Sequence, residues 1–176
     1  MFRGCIDMFH SYQAVTRLLV TAGEVRGRKK LQKMVFIAQS LGHAFSEPFE
    51  LHVWGPYSEV LAVKLKEMVD WGIALEESLP GPAGNHHYVY TPGPRAAMVA
   101  GDQATGLSAL VEDLNSRDAT FLEGVATALY LRGQGRDDAS ITEILPRIKP
   151  DKFSDPGRVE AVIAYSDGLE RYRIPL

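Results

Sequence analysis

The chain of 176 residues carries 19 Lys+Arg against 22 Asp+Glu, a net charge of −3, with 45% hydrophobic residues and one cysteine. That apolar fraction can bury a core and excludes a disordered chain, while a single Cys5 excludes an intrachain disulfide framework or a cysteine-built zinc site. No apolar run approaches the roughly 20 residues that span a bilayer, and the first ten residues, interrupted by Arg3 and Asp7, lack a signal peptide's continuous apolar region, so a cytoplasmic protein with no membrane partner is expected.

From the N-terminus, Tyr12, Val15, Leu18, Leu19 and Ala22 recur at helical spacing, with Gly23 as the stop. After a turn at Gly27, residues Leu31, Met34, Val35, Ala38 and Leu41 repeat the pattern up to Gly42. Phe36 and Ile37 widen that apolar face and predict burial on more than one side. Phe49 to Trp54 alternates as a short strand, broken by Gly55-Pro56, and Ser58 can cap a third helix with Leu61, Leu65, Met68 and Val69 on one face. Gly72 closes it. Two β-prone stretches follow, Ile73 to Leu79 and His86 to Thr91, around the loop Pro80 to Asn85. A short helical stretch begins at Thr91-Pro92-Gly93 and runs through Met98.

Helix, helix, strand, helix, hairpin is close to the element list of a winged-helix domain, although the commonest version has its first strand between the first two helices. Beyond Gly101 the pattern becomes wholly helical: Leu107 to Leu114, Phe121 to Leu129, Ser140 to Ile148 and Val159 to Leu169. Ser140 is the expected cap of the third, with Glu143 in capping-box position. Breaks are expected at Gly133-Gln134-Gly135 and from Pro150 to Gly157. The expected architecture is mostly α with a small β-hairpin. A winged-helix-like N-terminal domain (1–100) precedes an acidic helical subdomain (101–176).

The near-neutral total hides an asymmetry. Residues 1–42 carry seven basic and two acidic groups, whereas the rest carry twelve basic and twenty acidic. Five basic groups, Arg26, Arg28, Lys29, Lys30 and Lys33, fall within eight residues. They either decorate a solvated helix start or contact phosphates, which would make them the nucleic-acid-binding residues.

The stretches Gly27 to Phe36 (Gly-Arg-Lys-Lys-Leu-Gln-Lys-Met-Val-Phe) and His52 to Ser58 (His-Val-Trp-Gly-Pro-Tyr-Ser), together with Tyr88 to Gly93, resemble the YwgA-like family of uncharacterised bacterial proteins. More distantly, the Lys-Leu-Gln-Lys helix followed by an aromatic-Gly-Pro turn is similar to the SocA-like (Panacea) antitoxin domain. The resemblance covers about the first hundred residues. It implies a winged-helix-like fold, and the antitoxin connection implies a protein-binding role. Its motif residues are Leu31, Gln32, Lys33, Trp54, Gly55, Pro56, Tyr57 and Ser58. A tight strand-to-helix corner accounts for Gly-Pro-Tyr-Ser without a ligand.

Signals of catalytic chemistry are missing. His10, His43, His52, His86 and His87 show no metal-ligand spacing, and no P-loop, dinucleotide fingerprint or nucleophile elbow occurs. No cofactor, no metal and no enzymatic activity are expected. The helix before the presumed wing, Tyr57 to Trp71, has a net charge of −1 and lacks the Arg, Asn or Gln that reads a base edge. The expectation is therefore a non-enzymatic protein-interaction or antitoxin-like adaptor, with a protein partner or a second copy in a homodimer. The alternatives are a winged-helix transcription regulator gripping duplex DNA, or an enzyme or ligand-binding protein with a pocket between the two subdomains.

Overall fold

In a computed structural model, which describes residues 3–81, 85–101 and 106–175 with side chains from Tyr12 onward, α1 (Arg3–Ala22) buries Val15, Leu18 and Leu19. Gly23 ends it with φ 66°, the left-handed conformation in which a Cβ would be strained. A two-residue strand, β1 (Val25–Arg26), follows at once and pairs with the strand that closes the hairpin, Val25 opposite Tyr90 and Arg26 opposite Val89. So a strand does lie between the first two helices, contrary to the order read from the sequence. Two residues are too few to show an alternation, and only the partner strand defines them.

Helix α2 (Arg28–Ser40) is buried at Lys30 through Val35 and again at Ile37 and Ala38, as its broad apolar face requires. Next, β2 (Glu50–His52) and β3 (Gly55–Tyr57) form a tight antiparallel hairpin with His52 opposite Gly55. Gly55-Pro56 was expected to break the strand. Instead it begins the return strand, because Gly55 at φ 78° turns the chain and Pro56 sits where a missing N–H costs little. Helix α3 (Glu59–Asp70) starts at Ser58, whose side chain accepts a hydrogen bond from the Leu61 N–H.

Strands β4 (Ala74–Pro80) and β5 (His86–Pro92) pair along their whole length, giving a three-stranded antiparallel sheet in the order β1-β5-β4. After α4 (Ala96–Ala100) the chain is helical: α5 (Leu107–Asn115), α6 (Ala119–Gly133), α7 (Asp138–Ile148), α8 (Pro150–Phe153), α9 (Pro156–Gly168) and a closing 3-10 turn, Leu169–Tyr172. The protein is thus mostly helical with a small antiparallel sheet. Two local expectations are corrected. Asp137, not Ser140, caps α7, its carboxylate accepting from the Ser140 N–H at 2.9 Å. The Pro150–Gly157 stretch is no single break either, since Pro150 opens α8 and Pro156 opens α9 behind an Asp155 cap.

Buried apolar side chains from α1 through the closing turn form one continuous cluster, so the two halves of the chain share a core. The central element is α6, buried at every position from Leu122 to Leu129. It packs on α2 on one side and α9 on the other. Gly124 allows the second approach and that of α8: a Cβ there would lie 3.0 Å from Val162 of α9 and 2.6 Å from the Phe153 ring of α8. Among the described residues no helix is long and apolar enough to cross a membrane.

Candidate functional site

The two family-like motifs meet. From α2, the Gln32 side-chain amide donates to the Ser58 carbonyl at 2.9 Å, and its oxygen accepts from the Ser58 N–H at 3.0 Å. From the next residue, Lys33 Nζ donates to the Pro56 carbonyl at 2.5 Å, fully buried. A backbone segment that leaves a hairpin and enters a helix has polar groups with no partner in either element. Gln32 and Lys33 supply them, which explains why these residue types occur on an otherwise apolar helix face.

The far side of the hairpin rests on the C-terminal helices. A Cβ at Gly55 would lie 3.0 Å from Thr127 Oγ1 and 3.4 Å from the Glu123 side chain on α6. Glu123 is itself buried. It accepts from Lys149 at 2.6 Å and from Lys152, both oxygens, at 3.0 and 2.8 Å. Lys149 also donates to the Val53 carbonyl at the hairpin tip, at 2.6 Å. Over the top, Lys29 Nζ rests 3.4 Å from the centre of the Trp54 ring, with Lys152 Nζ 4.9 Å from it.

Four ammonium groups therefore surround one carboxylate. Burial alone would raise the Glu123 carboxyl, but the hydrogen bonds from Lys149 and Lys152 outweigh it and hold the group below its usual range. Burial pushes the Lys33 ammonium down to about 8. Glu123 opposes that fall, and Lys149, Lys29 and Lys152 add to it. Lys29 is lowered as well, by burial first and by Lys152 second.

The five basic residues singled out in the sequence are dispersed by this folding. Arg26 is exposed and pairs with Glu24 at 2.5 Å. Arg28 lies across the Tyr88 ring and donates to Glu76 and to the Tyr90 hydroxyl. Lys29 caps Trp54. Lys30 is buried and donates to the Asn115 carbonyl on α5, and Lys33 is enclosed under the hairpin. They form no continuous exposed strip. Glu123, Lys149 and Lys152 escaped the sequence reading, although a lone Glu inside the apolar run of α6 was a visible signal.

Two concave regions flank the junction. A cleft of about 420 Å³ is bounded by Arg28, Gln32, Tyr57, Leu65, Glu76 and Tyr90. On the opposite side of α3 a groove of about 300 Å³ is floored by Val60, Val63 and Tyr12 and rimmed by Glu59 and Glu67. Val60 and Val63 are 50% and 58% exposed, and Trp71, 45% exposed, packs on Tyr12 with ring centres 5.3 Å apart. An open groove between the two halves of the chain is also present, but its Arg132 and Arg173 are already held by Asp138, Asp167 and Glu170. Among the described residues no group of three or more His, Cys, Asp or Glu side chains is placed to hold a metal. The Cys5 and His10 side chains lie outside the described set, and His43 is buried against the Tyr172 carbonyl.

The chain is similar to a protein of Bacillus subtilis (strain 168) named "Uncharacterized protein YwgA". The two are 32% identical over 128 residues, covering 72% of this chain and 77% of that one. A match of that length cannot be contained in the first hundred residues, so the likeness runs into the helical second half. No family model and no solved structure matches the chain.

Proposed function

The chain belongs to the YwgA-like family, and from that premise we propose that it is a non-enzymatic binding protein of winged-helix-like build that engages another protein through the outer face of α3. The winged-helix reading is supported by the order helix, strand, helix, helix, strand, strand that remains once the separate β2–β3 hairpin inserted between α2 and α3 is set aside, with β1 paired to β5 and β4 outside it. In that arrangement α3 occupies the place of the groove-reading helix. The observation that carries the protein-binding reading is what this helix presents: Val60, Val63 and Trp71 exposed, beside Glu59 and Glu67.

An apolar floor with an acidic rim repels a phosphate backbone and complements an amphipathic segment bearing Lys or Arg. The occupant is therefore a protein segment with apolar anchors and basic flanks, which accords with the antitoxin-like adaptor reading. DNA binding is the weaker reading, since Lys30 and Lys33 are spent on backbone carbonyls. The non-enzymatic part rests on the sequence, which has no nucleophile–base or metal-ligand spacing.

The test places a photo-crosslinking residue at Val63 in living cells, with a second at Arg147 on the exposed part of α7 as control. One recurrent protein adduct is expected at Val63, absent at the control and lost when Val60 is changed to Asp. Duplex DNA binding that falls steeply with salt and weakens in Lys29→Glu, with no adduct at Val63, would replace the reading by the transcription-regulator alternative.

A further inference from the structure

We propose that the corner formed by the start of α2, the β2–β3 hairpin tip and the α7–α8 junction is a binding site for a phosphoryl-class anion, gripped by Lys29 and Lys152 above Lys33 and Lys149. The first observation is the charge count. Lys29, Lys33, Lys149 and Lys152 stand around Glu123, and that carboxylate is already committed to Lys149 and Lys152. With all four lysines charged, the cluster carries three positive charges in excess of its carboxylate.

The second observation is depth. Lys33 and Lys149 are withdrawn from solvent and fixed by the Pro56 and Val53 carbonyls, so their charges stand at set positions, screened less than surface charges. Lys152 is partly open, at 28% side-chain exposure, and Lys29 is exposed. Buried cations therefore back two ammonium groups that an incoming anion can reach. Among the described residues Lys29 makes no hydrogen bond. Its ammonium lies over the Trp54 ring, an attachment that a flexible side chain gives up readily for a doubly charged oxyanion.

The third observation selects the class of ligand. A monoanion leaves most of the excess in place, whereas a phosphate dianion or a pyrophosphate cancels it. Ammonium groups on flexible stems suit the several oxygens of a phosphoryl group, while a planar carboxylate is better matched by a guanidinium fork. The phosphoryl group can be free or part of a nucleotide, whose base would take the half-exposed Trp54 face that Lys29 vacates. The site lies apart from the α3 groove, so it stands or falls independently of the protein-binding reading.

The experiment titrates the full-length chain at pH 7 and fixed ionic strength with inorganic phosphate, pyrophosphate and adenosine monophosphate, reading heat of binding and Tm against chloride. Saturable binding is expected, tighter for pyrophosphate than for phosphate, and weakened at least tenfold in Lys29→Met and again in Lys152→Gln. Neither substitution removes the Lys33 or Lys149 contacts to the hairpin, and far-UV circular dichroism verifies the fold. Tighter binding of the nucleotide, lost in Trp54→Ala, assigns the nucleotide as the source, and equal binding assigns the phosphoryl group alone. Heats and Tm values indistinguishable from chloride, or binding that survives both lysine substitutions, overturn the proposal.

Discussion

Two faces of the hairpin–α3 region follow opposite rules. Beneath the hairpin, Gln32, Lys33, Glu123 and Lys149 each hold a fixed partner, and their polar atoms replace water for a backbone that would otherwise be unsatisfied. Across the outer side of α3, Val60, Val63 and Trp71 face solvent, and their removal leaves no polar group orphaned. The contrast separates residues kept for the fold from residues available for binding, although both sets lie within a few residues of the Gly-Pro-Tyr-Ser turn.

The comparison breaks most visibly at Glu123. Glu123→Gln leaves Lys149 buried beside Lys33 with no carboxylate, and removing one member of a buried pair costs about 3–5 kcal/mol. Urea unfolding measures the loss. A Glu123→Leu, Lys149→Met double variant is expected to recover a good part of it, because no charge then remains unpaired. A Glu123→Gln penalty below about 1 kcal/mol would show that Lys149 is not left uncompensated when the carboxylate is removed.

Lys33 sharpens the same point through pH. Its folded pKa of about 8 lies below the unfolded value of 10.5. Between those values the unfolded chain holds a proton that the folded chain has released, so stability rises as pH climbs from about 8 to 10.5. The gain approaches about 3 kcal/mol, at about 1.4 kcal/mol for each unit of difference. Burial is the main cause of the depression; of the groups facing Lys33, Glu123 opposes it, and Lys149, Lys29 and Lys152 add to it. Lys33→Met removes the rise, which chemical denaturation at pH 7, 8.5 and 10 resolves by comparison with the unaltered protein.

Gln32→Ala deletes both bonds to the Ser58 backbone and is expected to cost about 2–3 kcal/mol, since a buried N–H and a buried carbonyl lose their partners together. Denaturant titration measures it. A cost under about 1 kcal/mol would mean that water replaces the amide and that the two motifs are not locked together.

How far the sequence revealed all this depended on the length of the pattern involved. Helices such as α2 and α3 declare themselves through several repeats of an apolar stripe, and Gly23 and Gly72 mark their ends. β1 has two residues, and only Tyr90 and Val89, some sixty positions on, make it a strand. The basic cluster was legible as charge but not as direction. Spacing places Arg26, Arg28, Lys29, Lys30 and Lys33 along one short segment, yet helical rotation sends Lys30 and Lys33 inward and Arg28 onto Glu76. The partners that settle each direction, Asn115, Glu123 and Glu76, come from other parts of the chain.

Caps show the same limit at smaller scale. Ser140 and Asp137 are both good capping residues, and a capping-box pattern favoured Ser140, but the helix begins three residues earlier. Asp137→Ala is expected to lower the unfolding midpoint, and Ser140→Ala to lower it less, because only the first removes the cap. Thermal unfolding ranks them.

The smallest effect on stability is expected on the outer face of α3, and it is the most informative about function. Val63→Asp places a carboxylate at a position already 58% exposed, next to the acidic rim of the groove. Nothing buried loses a partner, so the change in unfolding free energy stays within about 0.5 kcal/mol. Binding responds differently, because an apolar anchor is removed and a like charge is added beside Glu59 and Glu67; one anchor of this kind carries about 2 kcal/mol or more, a loss of some thirtyfold in affinity. Parallel unfolding and crosslinking measurements on the same variant give the decisive pattern. Unchanged stability with a lost adduct marks α3 as the binding face. Unchanged stability with an unchanged adduct leaves its exposed valines as ordinary surface, and a marked loss of stability would mean that this face belongs, like the junction behind it, to the machinery of the fold.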